Sequence, residues 1–240
     1  MHVVFVFAHQ DDEIAFVSRI RYSVARGDRV SCVCLTDGAL EVDASIRDAE
    51  SNRVLAKLGV SPLIVDEHRI ADGALPEHMD RALAFLERVA VEADEVVTLA
   101  WEGGHVDHDA AHLVAVVFAR RHRIRCLEMP LYNGERMRGP FFRVFNPVGD
   151  GWTARTLSRR EHIANVLLAR FYRSQRRSWL GLMPLMLLTR PRELTRVADL
   201  ARAAAPPHEG PLLYERRFHY APERFAAHAA RFLQRQASPD

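Results

Sequence analysis

The chain has 240 residues, of which 48% are hydrophobic and 27% are charged; this composition supports a sizeable core and excludes a largely disordered chain. Its formal net charge of +2 excludes the strongly basic footprint of a nucleic-acid-binding protein, so we expect no nucleic-acid partner. The length suits one α/β domain with a C-terminal elaboration.

The first half of the chain alternates apolar runs with stretches of helical spacing. We predict strands over residues 3–8, 29–35, 62–65, 95–100 and 125–129. We predict helices over residues 13–26, 46–58, 77–93 and 107–121. This alternation is typical of parallel βαβ units, and it predicts a Rossmann-like, open, mostly parallel sheet flanked by helices. Such sheets bind ligands beyond the carboxyl ends of their strands.

The pattern changes after about residue 130. We predict an added antiparallel pair of strands over residues 141–145 and 153–157, and helices over residues 158–173, 193–205 and 222–236. Ser158 and Glu161 have the spacing of a capping box at the start of the first of these helices. We therefore divide the chain into a core at residues 1–129 and a C-terminal α/β extension at residues 130–240, which completes the domain and shapes the substrate pocket.

Residues 179–188 form an apolar run that is interrupted by Pro184 and flanked by Arg176, Arg177 and Arg190. Ten residues are too few to cross a bilayer, so we expect no transmembrane segment. The simplest interpretation is a buried segment or an interface between copies of a homo-oligomer. A lid over the active site, a pocket for an acyl chain and a contact with a membrane surface are the alternatives.

The cysteines and the N-terminus bear on the cellular compartment. The chain has three cysteines, and two of them, Cys32 and Cys34, alternate in an apolar run that predicts a buried, reduced pair. The apolar stretch at residues 1–8 is too short for a signal peptide and continues into charged residues. We therefore expect a cytoplasmic protein.

A histidine and two aspartates directly follow the first predicted strand. The segment AHQDDE at residues 8–13 places His9, Asp11 and Asp12 at the end of an apolar run. Carboxylates packed this closely repel each other and lose solvation, and a bound cation relieves both costs. Imidazole nitrogen and carboxylate oxygen suit Zn²⁺, or another divalent ion such as Fe²⁺. One aspartate can then bind the metal while the other takes a proton from water.

A second histidine-containing segment follows the fourth predicted strand and leads into the next helix. The segment WEGGHVDH at residues 101–108 contains His105 and His108, three positions apart. Both segments lie at carboxyl ends of strands, so the sheet can bring them to one crevice. Three protein ligands from two loops, with one coordination position open, are the arrangement of a catalytic zinc site.

Two common motifs are absent. His108 and His112 are four positions apart on a predicted helix, but no glutamate follows His108, so the zinc-protease pattern HExxH is not present. We therefore place His112 in the core or the pocket wall. No GxGxxG follows the first predicted strand, which disfavours a dinucleotide-binding enzyme.

These segments resemble the motifs of the LmbE-like, or PIG-L, superfamily of zinc-dependent de-N-acetylases. The family motif AHPDDE is matched at residues 8–13, with Gln10 in place of proline, and the motif GHxDH is matched at residues 104–108. The resemblance continues through LTDG at residues 35–38 and through Arg47. It covers residues 1–129 well and returns weakly at residues 174–175.

The resemblance implies a division of roles within the site. His9, Asp12 and His108 would bind zinc, Asp11 would act as the general base, and His105 would be the cationic group that stabilises the oxyanion or protonates the leaving amine. Asp107 would orient His105 and favour its charged form. The residues expected to contact the substrate are Arg47, Gln10, Trp101 and Glu102.

The activity that follows is hydrolysis of an N-acyl amide. The resemblance implies N-deacetylation of an amino sugar or a related small metabolite, as occurs in specialised-metabolite biosynthesis. One alternative is an amidase acting on a larger acyl group or a thiol conjugate, with residues 179–188 forming the acyl pocket. Another is a catalytically inert protein that binds a metal or a sugar.

Overall fold

The computed structural model describes residues 1–40 and 42–237. Five strands in the first half form the parallel part of the sheet: β1 (His2–Phe7), β2 (Arg29–Thr36), β3 (Ile64–Ile70), β4 (Glu95–Leu99) and β5 (Arg125–Met129). Four helices connect them: α1 (Glu13–Ala25), α2 (Ala44–Lys57), α3 (Met79–Val89) and α4 (Val106–His122). A short 3-10 turn, Leu75–Glu77, precedes α3. The predicted βαβ alternation is confirmed.

The second half contributes shorter elements. Its strands are β6 (Tyr132–Asn133), β7 (Arg143–Val144), β8 (Thr153–Thr156) and β9 (Arg192–Val197). Its helices are α5 (Arg159–Val166), α6 (Arg176–Leu188), α7 (Leu213–Phe218) and α8 (Pro222–Ala237). Two 3-10 turns, Leu167–Phe171 and Leu200–Ala204, follow α5 and β9. The capping box of Ser158 and Glu161 is present at the start of α5, as the sequence predicts.

The main sheet has seven strands in the order β3-β2-β1-β4-β5-β9-β8. The five strands from β3 to β5 are parallel, and β9 and β8 extend the sheet in antiparallel fashion. The mostly parallel Rossmann-like sheet is therefore confirmed. β9 and β8 come from the second half of the chain and belong to the same sheet as the first five strands. The division of the chain at residue 129 stays a prediction.

β1 has apolar side chains at consecutive positions because it is buried on both faces. Every residue of β1 is buried, and its side chains from Val3 to Phe7 are fully excluded from solvent. A parallel strand that is covered on both faces needs apolar side chains at consecutive positions rather than at alternate ones. Cys32 and Cys34 of β2 are buried free thiols, as predicted.

Two predictions for the second half are wrong. Residues 193–197 of the predicted helix at 193–205 belong instead to β9, which pairs with β8 over Thr153–Thr156. The predicted strand at 141–145 pairs with β6 rather than with β8. For β9 the partner strand is distant in sequence, and pairing with it overrides the local helical pattern.

The apolar run at residues 179–188 lies within α6. Pro184 lies inside this helix. Within residues 1–40 and 42–237, no helix combines the length and the apolar character that crossing a membrane requires.

The strand order identifies where a ligand site should lie. From β1 the chain proceeds through β2 to β3 on one side, while β4 and β5 lie on the other side. β1 and β4 are adjacent and pair in parallel, with Val6 opposite Thr98. The order of the strands therefore reverses between them, and open α/β sheets bind ligands outside the carboxyl ends at such a point. Both histidine-containing segments begin there.

Candidate active site

The first loop of the site turns sharply at Asp11. Asp11 has a φ of +98°, which non-glycine residues rarely adopt and which is found preferentially at functional sites. Its amide N–H donates to Glu13 Oε2 at 2.9 Å, and its Oδ1 accepts from Arg47 Nη2 at 3.0 Å. Burial raises the pKa of Asp11 to about 6, even though Arg47 acts against the shift. The loop thus holds one carboxyl group whose proton affinity lies close to neutrality.

Asp12, the next residue, turns back towards the strand. Its Oδ2 accepts hydrogen bonds from the amide N–H groups of Ala8 and His9 at 3.1 and 2.8 Å. Its Oδ1 lies 3.1 Å from His108 Nε2. Although burial opposes the shift, His108 and His9 hold the pKa of Asp12 well below its usual range. The carboxylate is therefore ionised and available as a ligand.

His9 has different neighbours at its two ring nitrogens. Its Nε2 lies 3.0 Å from Asp107 Oδ2 and 3.2 Å from Asp72 Oδ1, so these carboxylates favour a proton on Nε2. Its Nδ1 faces His108 and Asp12 instead. A carboxylate behind one ring nitrogen, with the other nitrogen turned into the site, is the usual arrangement of a metal-binding histidine.

The three predicted metal ligands converge between the two loops. His108 Nε2 lies 3.1 Å from Asp12 Oδ1 and 3.3 Å from His9 Nδ1, and His9 Nδ1 lies 3.8 Å from Asp12 Oδ2. Ligand atoms at about 2.1 Å from a tetrahedral ion lie about 3.4 Å from one another. The donor set and its spacing therefore fit a divalent cation, and the assignment of these residues as its ligands stays a prediction.

The contacts of Asp107 correct its predicted role. Its carboxylate accepts from the amide N–H groups of Gly73 at 2.6 Å and Leu75 at 3.1 Å, and it lies against the ring of His9. Only its backbone N–H reaches His105, donating to Nδ1 at 3.2 Å. The Asp107 carboxylate therefore contacts His9 rather than His105, the N-cap residue of α4.

His105 also differs from the predicted cationic group. Burial and the nearby His9 lower the pKa of His105 to about 4, which favours the neutral ring. Nδ1 of His105 accepts a hydrogen bond from the backbone N–H of Asp107. The proton of the neutral ring therefore lies on Nε2. His105 lines the cavity described below and has a ring centroid 4.9 Å from that of His9. It can thus donate a hydrogen bond without carrying a charge.

Two buried carboxylates hold the second loop in place. Asp109 Oδ1 accepts from the amide N–H groups of Glu102 and Gly103, each at 3.2 Å. Glu102 Oε1 accepts from the amide N–H groups of Leu131 and Tyr132 at 2.7 and 2.9 Å. Glu102 is 1% exposed and does not line the cavity, so its contact with substrate stays a prediction that these contacts do not support. Its carboxylate joins the loop after β4 to the segment after β5.

Gln10 and Trp101 also lie away from the cavity. Gln10 is fully buried, and its Nε2 donates to Asp48 Oδ1 at 2.7 Å. Trp101 packs its ring against Phe225, and its Nε1 donates to Ala205 O at 3.1 Å. Neither side chain lines the cavity, so their contact with substrate stays a prediction that their packing does not support.

Arg47 does line the cavity, and most of its guanidinium is already engaged. It donates to the carbonyl oxygens of Gln10 and Gly38 as well as to Asp11. Its side chain is only 5% exposed. The structure therefore gives Arg47 a part in holding the Asp11 loop, and its contact with substrate stays a prediction.

His112 belongs to the interior. Its Nδ1 lies 2.9 Å from Leu99 O, its ring centroid lies 6.1 Å from that of Trp101, and the residue is 1% exposed. The core interpretation of its spacing from His108 is confirmed.

Asp72 is a member of the site that the sequence analysis missed. It follows β3 and faces His9 Nε2 at 3.2 Å, and its Oδ2 lies 4.0 Å from Arg47 Nη1. Although burial opposes the shift, His9 lowers the pKa of Asp72. The signal was present as the turn ADG at residues 71–73, but the predicted strand ended at residue 65, five residues before β3 does.

The site opens into a cavity of about 310 Å³ that combines a polar floor with apolar walls. The floor contains the predicted metal ligands, Asp11, Asp72 and His105. The walls include Leu40, Leu131, Tyr132, Phe142, Trp179, Leu182 and Phe218, and two arginines, Arg177 and Arg217, also line the space. Most of these wall residues come from the second half of the chain, so that half shapes the space above the floor.

Comparison with known protein families gives a match over the first half of the chain. Residues 4–119 match the family described as "PIG-L: GlcNAc-PI de-N-acetylase". The matched segment contains both histidine-containing loops and ends within α4. No match was found among curated proteins.

Three solved structures illustrate the similarity in fold. A deacetylase complex from the teicoplanin biosynthesis pathway aligns with a TM-score of 0.64 and 14% identity, over 83% of this chain and 99% of that one. The zinc-inhibited form of teicoplanin deacetylase Orf2 aligns with a TM-score of 0.56 and 13% identity, over 83% and 99%. N,N'-diacetylchitobiose deacetylase from Pyrococcus horikoshii aligns with a TM-score of 0.59 and 17% identity, over 84% and 85%.

Proposed function

We propose that this chain is a member of the PIG-L family of de-N-acetylases, whose model it matches over residues 4–119, and that it is a metal-dependent hydrolase that removes the acetyl group from an N-acetylated amino sugar or a related small metabolite. The observation that carries the proposal is the convergence of His9, Asp12 and His108, with Asp11 turned into the same cavity. Structural relatives named as deacetylases of a glycopeptide pathway and of diacetylchitobiose support the choice of an amino sugar.

The metal would be held by His9 Nδ1, Asp12 and His108 Nε2. Two imidazoles and one carboxylate suit Zn²⁺, and Fe²⁺ or another borderline divalent ion is compatible with the same set. When bound, such an ion polarises the amide carbonyl and lowers the pKa of water at its open position. Behind the site, Asp107 and Asp72 hold the His9 ring in orientation.

The chain's own groups would then move the protons. The Asp11 carboxylate takes a proton from the attacking water, and Arg47 keeps that carboxylate in place. The Nε2–H of the neutral His105 donates to the oxygen of the former carbonyl as charge develops on it. The proton held by Asp11 then passes to the departing amine, and acetate is the second product.

The residues that line the walls of the cavity indicate the chemical character and the orientation of the substrate. Apolar side chains face the polar floor, and the guanidinium groups of Arg177 and Arg217 lie among them. We infer that the acetylated amine enters next to the floor while an apolar and acidic remainder of the substrate lies along the walls. The same apolar walls favour the second candidate, an amidase that acts on a larger acyl group.

Acetate release from a panel of N-acetylated amino sugars tests the proposal. Three samples are compared: protein stripped of metal, stripped protein reloaded with zinc, and stripped protein reloaded with iron(II). Both metals are used because one structural relative is described as zinc-inhibited. We expect acetate from at least one member of the panel with loaded protein and none with stripped protein. The same amino sugars carrying longer N-acyl groups are assayed in parallel. Metal-loaded protein that releases longer fatty acids from these but no acetate from the N-acetylated panel would favour the amidase, and no hydrolysis of any amide would contradict both.

The variant Asp11→Ala tests the assigned base. We expect it to keep its metal and to lose turnover by about 10²–10⁴-fold, because that is the usual contribution of a positioned base. Elemental analysis of the purified variant checks the metal, and initial rates check the turnover. Near-normal turnover with metal bound would show that another group takes the proton.

A further inference from the structure

The helix α6 is apolar on two opposite sides. Trp179, Leu182, Met183 and Met186 follow helical spacing and pack inward, and the first two also line the cavity. A second set at the same spacing, which comprises Leu180, Pro184, Leu187 and Leu188, faces outward. A helix that is apolar all round is normally buried on all sides, so the outward side of α6 needs an explanation.

The outward leucines are strongly exposed. Leu180 is 66% exposed, Leu188 is 84% exposed and Leu187 is 37% exposed. The preceding helix α5 and its 3-10 turn pack against α6 and expose two further apolar side chains, Ile163 and Leu167. These five residues are exposed on elements that pack against one another, and we call them the apolar patch; exposed apolar surface on neighbouring elements points to an interaction site.

The segment that contains the apolar patch is rich in arginine. Residues 157–192 contain eight arginines and one acidic residue, although the whole chain has a formal net charge of only +2. All eight are exposed, and none makes an ion pair or a side-chain hydrogen bond with another residue that the structure describes. They are Arg159, Arg160, Arg170, Arg173, Arg176, Arg177, Arg190 and Arg192.

The contrast with arginines elsewhere in the chain shows that this surface is unusual. Arg19, Arg155 and Arg196 each pair with a carboxylate. The eight arginines of residues 157–192 lack such partners among residues 1–40 and 42–237, so they are available to an external anion. A second copy of this chain is a poor occupant, because two identical faces would bring the unpaired arginines of both copies together.

We propose that the apolar patch and its arginines dock onto an anionic membrane surface. The leucines would enter the boundary between headgroups and acyl chains, and the arginines would contact the acidic headgroups. The same helix carries Arg177, Ser178, Gly181 and Leu182, which line the cavity, so docking would bring one wall of the cavity to the lipid surface. This arrangement concerns binding, and it holds whether or not the proposed deacetylation is correct.

Co-sedimentation of the intact protein with lipid vesicles tests the proposal. One set of vesicles contains equal parts of phosphatidylcholine and phosphatidylglycerol, and the other contains phosphatidylcholine alone. We expect binding to the acidic vesicles at low salt, weaker binding as salt is added, and little binding to the neutral vesicles. Absence of binding to the acidic vesicles at low salt would overturn the proposal.

The charge is tested by replacing three arginines of the surface with glutamine. We expect about 100-fold weaker binding to the acidic vesicles, because each arginine near such a surface contributes roughly a factor of five. The variant combines Arg173→Gln, Arg176→Gln and Arg190→Gln. Wild-type affinity in this variant would overturn the proposal.

A matched control removes the same charge from exposed arginines elsewhere. It should bind acidic vesicles within about threefold of the wild type, since these side chains lie outside the surface. The control combines Arg53→Gln, Arg81→Gln and Arg120→Gln. An equal loss of affinity in the control and the test variant would mean that net charge alone drives binding, which contradicts a defined docking surface.

The apolar part is tested by Leu180→Ser combined with Leu187→Ser. These side chains are exposed, so the fold should be kept, and circular dichroism with a thermal melt checks it. We expect binding to acidic vesicles to fall at least tenfold, because inserted apolar area is lost. A wild type that is dimeric by light scattering and a variant that is monomeric would show that a second copy covers the patch, which overturns the proposal.

Discussion

At the scale of single residues, the geometry of the site depends on the carboxylates that hold the ring of His9, a predicted metal ligand, in orientation. His9 lies between a carboxylate pair at Nε2 and two predicted ligands at Nδ1, so the orientation of its ring is set from both sides. Asp107 is itself fixed by the amide N–H groups of Gly73 and Leu75. The loop after β3 therefore contributes to the position of a side chain that follows β1.

The variant Asp107→Asn tests this positioning role. We expect metal affinity to fall by about 10–100-fold, because residues that orient metal-binding histidines typically have effects of that size. Competition with a chromogenic chelator measures the affinity. Asp66→Asn serves as a control, because Asp66 does not line the cavity and its carboxylate contacts Arg88 and the N–H of His68 instead. Equal metal affinity in both variants would contradict the role.

The raised pKa of Glu102 predicts that the free energy of unfolding depends on pH. Burial raises the pKa of Glu102 from 4.5 to about 7, because the hydrogen bonds from Leu131 and other neighbours only partly offset it. The folded state therefore binds a proton more tightly than the unfolded state. The free energy of unfolding should fall as pH rises from about 4.5 to 7, by up to about 3 kcal/mol for this group.

The variant Glu102→Gln tests that dependence. An amide in place of the carboxyl group can still accept from the N–H of Leu131 but does not ionise. We expect the stability of the variant to fall less than that of the wild type between pH 4.5 and 7, as measured by urea unfolding at several pH values. Parallel pH profiles for the two proteins would contradict the assignment.

At the scale of elements, the loop between β4 and α4 is packed too closely for an added side chain. A Cβ atom at Gly104 would lie 2.1 Å from Tyr132 O, a backbone atom that cannot yield by rotation. The loop therefore needs glycine for close approach to the segment after β5. Since the loop leads directly to His105 and His108, its position sets both side chains.

The variant Gly104→Ala should displace this loop. We expect at least tenfold weaker metal binding and a loss of about 1–3 kcal/mol in stability, because the clash is resolved by a backbone shift. Metal titration and urea unfolding measure the two effects. Gly181→Ala in α6 is the control, since its added Cβ would meet no atom within 4 Å, and wild-type metal affinity in Gly104→Ala would contradict the argument.

At the scale of the whole molecule, a metal would connect two loops that are far apart in sequence. His9 and Asp12 follow β1, whereas His108 lies in α4, and the pairing of β1 with β4 brings them together. An ion that binds only the folded arrangement shifts the folding equilibrium towards it. Metal binding should therefore be visible in the stability of the entire chain.

Removal of the metal should lower the melting temperature. An ion at 100 times its dissociation constant contributes about 2.7 kcal/mol, which for a chain of this size corresponds to roughly 5–10 °C. Differential scanning calorimetry with zinc and with a chelator measures the shift. The variant Asp12→Ala should show a much smaller shift, and an equal shift in both proteins would place the stabilising ion elsewhere.

The two loops could be predicted from the sequence because each directly follows a strand with a clear apolar pattern. Asp72 could not be found in the same way, since β3 contains charged residues and the predicted strand ended too early. Gln10, Trp101 and Glu102 lie within or beside the motifs, yet they point into the interior. Which side of a loop faces a cavity depends on the elements packed behind it, and that information is not local.

The sequence by itself determined the parallel sheet, the two loops at its carboxyl edge and the identity of their histidines and aspartates. These follow from periodicity and from the spacing of chemically distinctive residues, which are properties of short segments. Only the tertiary structure decided that Asp107 serves His9, that residues 192–197 join the sheet and that α6 forms a cavity wall. Each of these depends on contacts between distant segments, whose packing outweighs local preference.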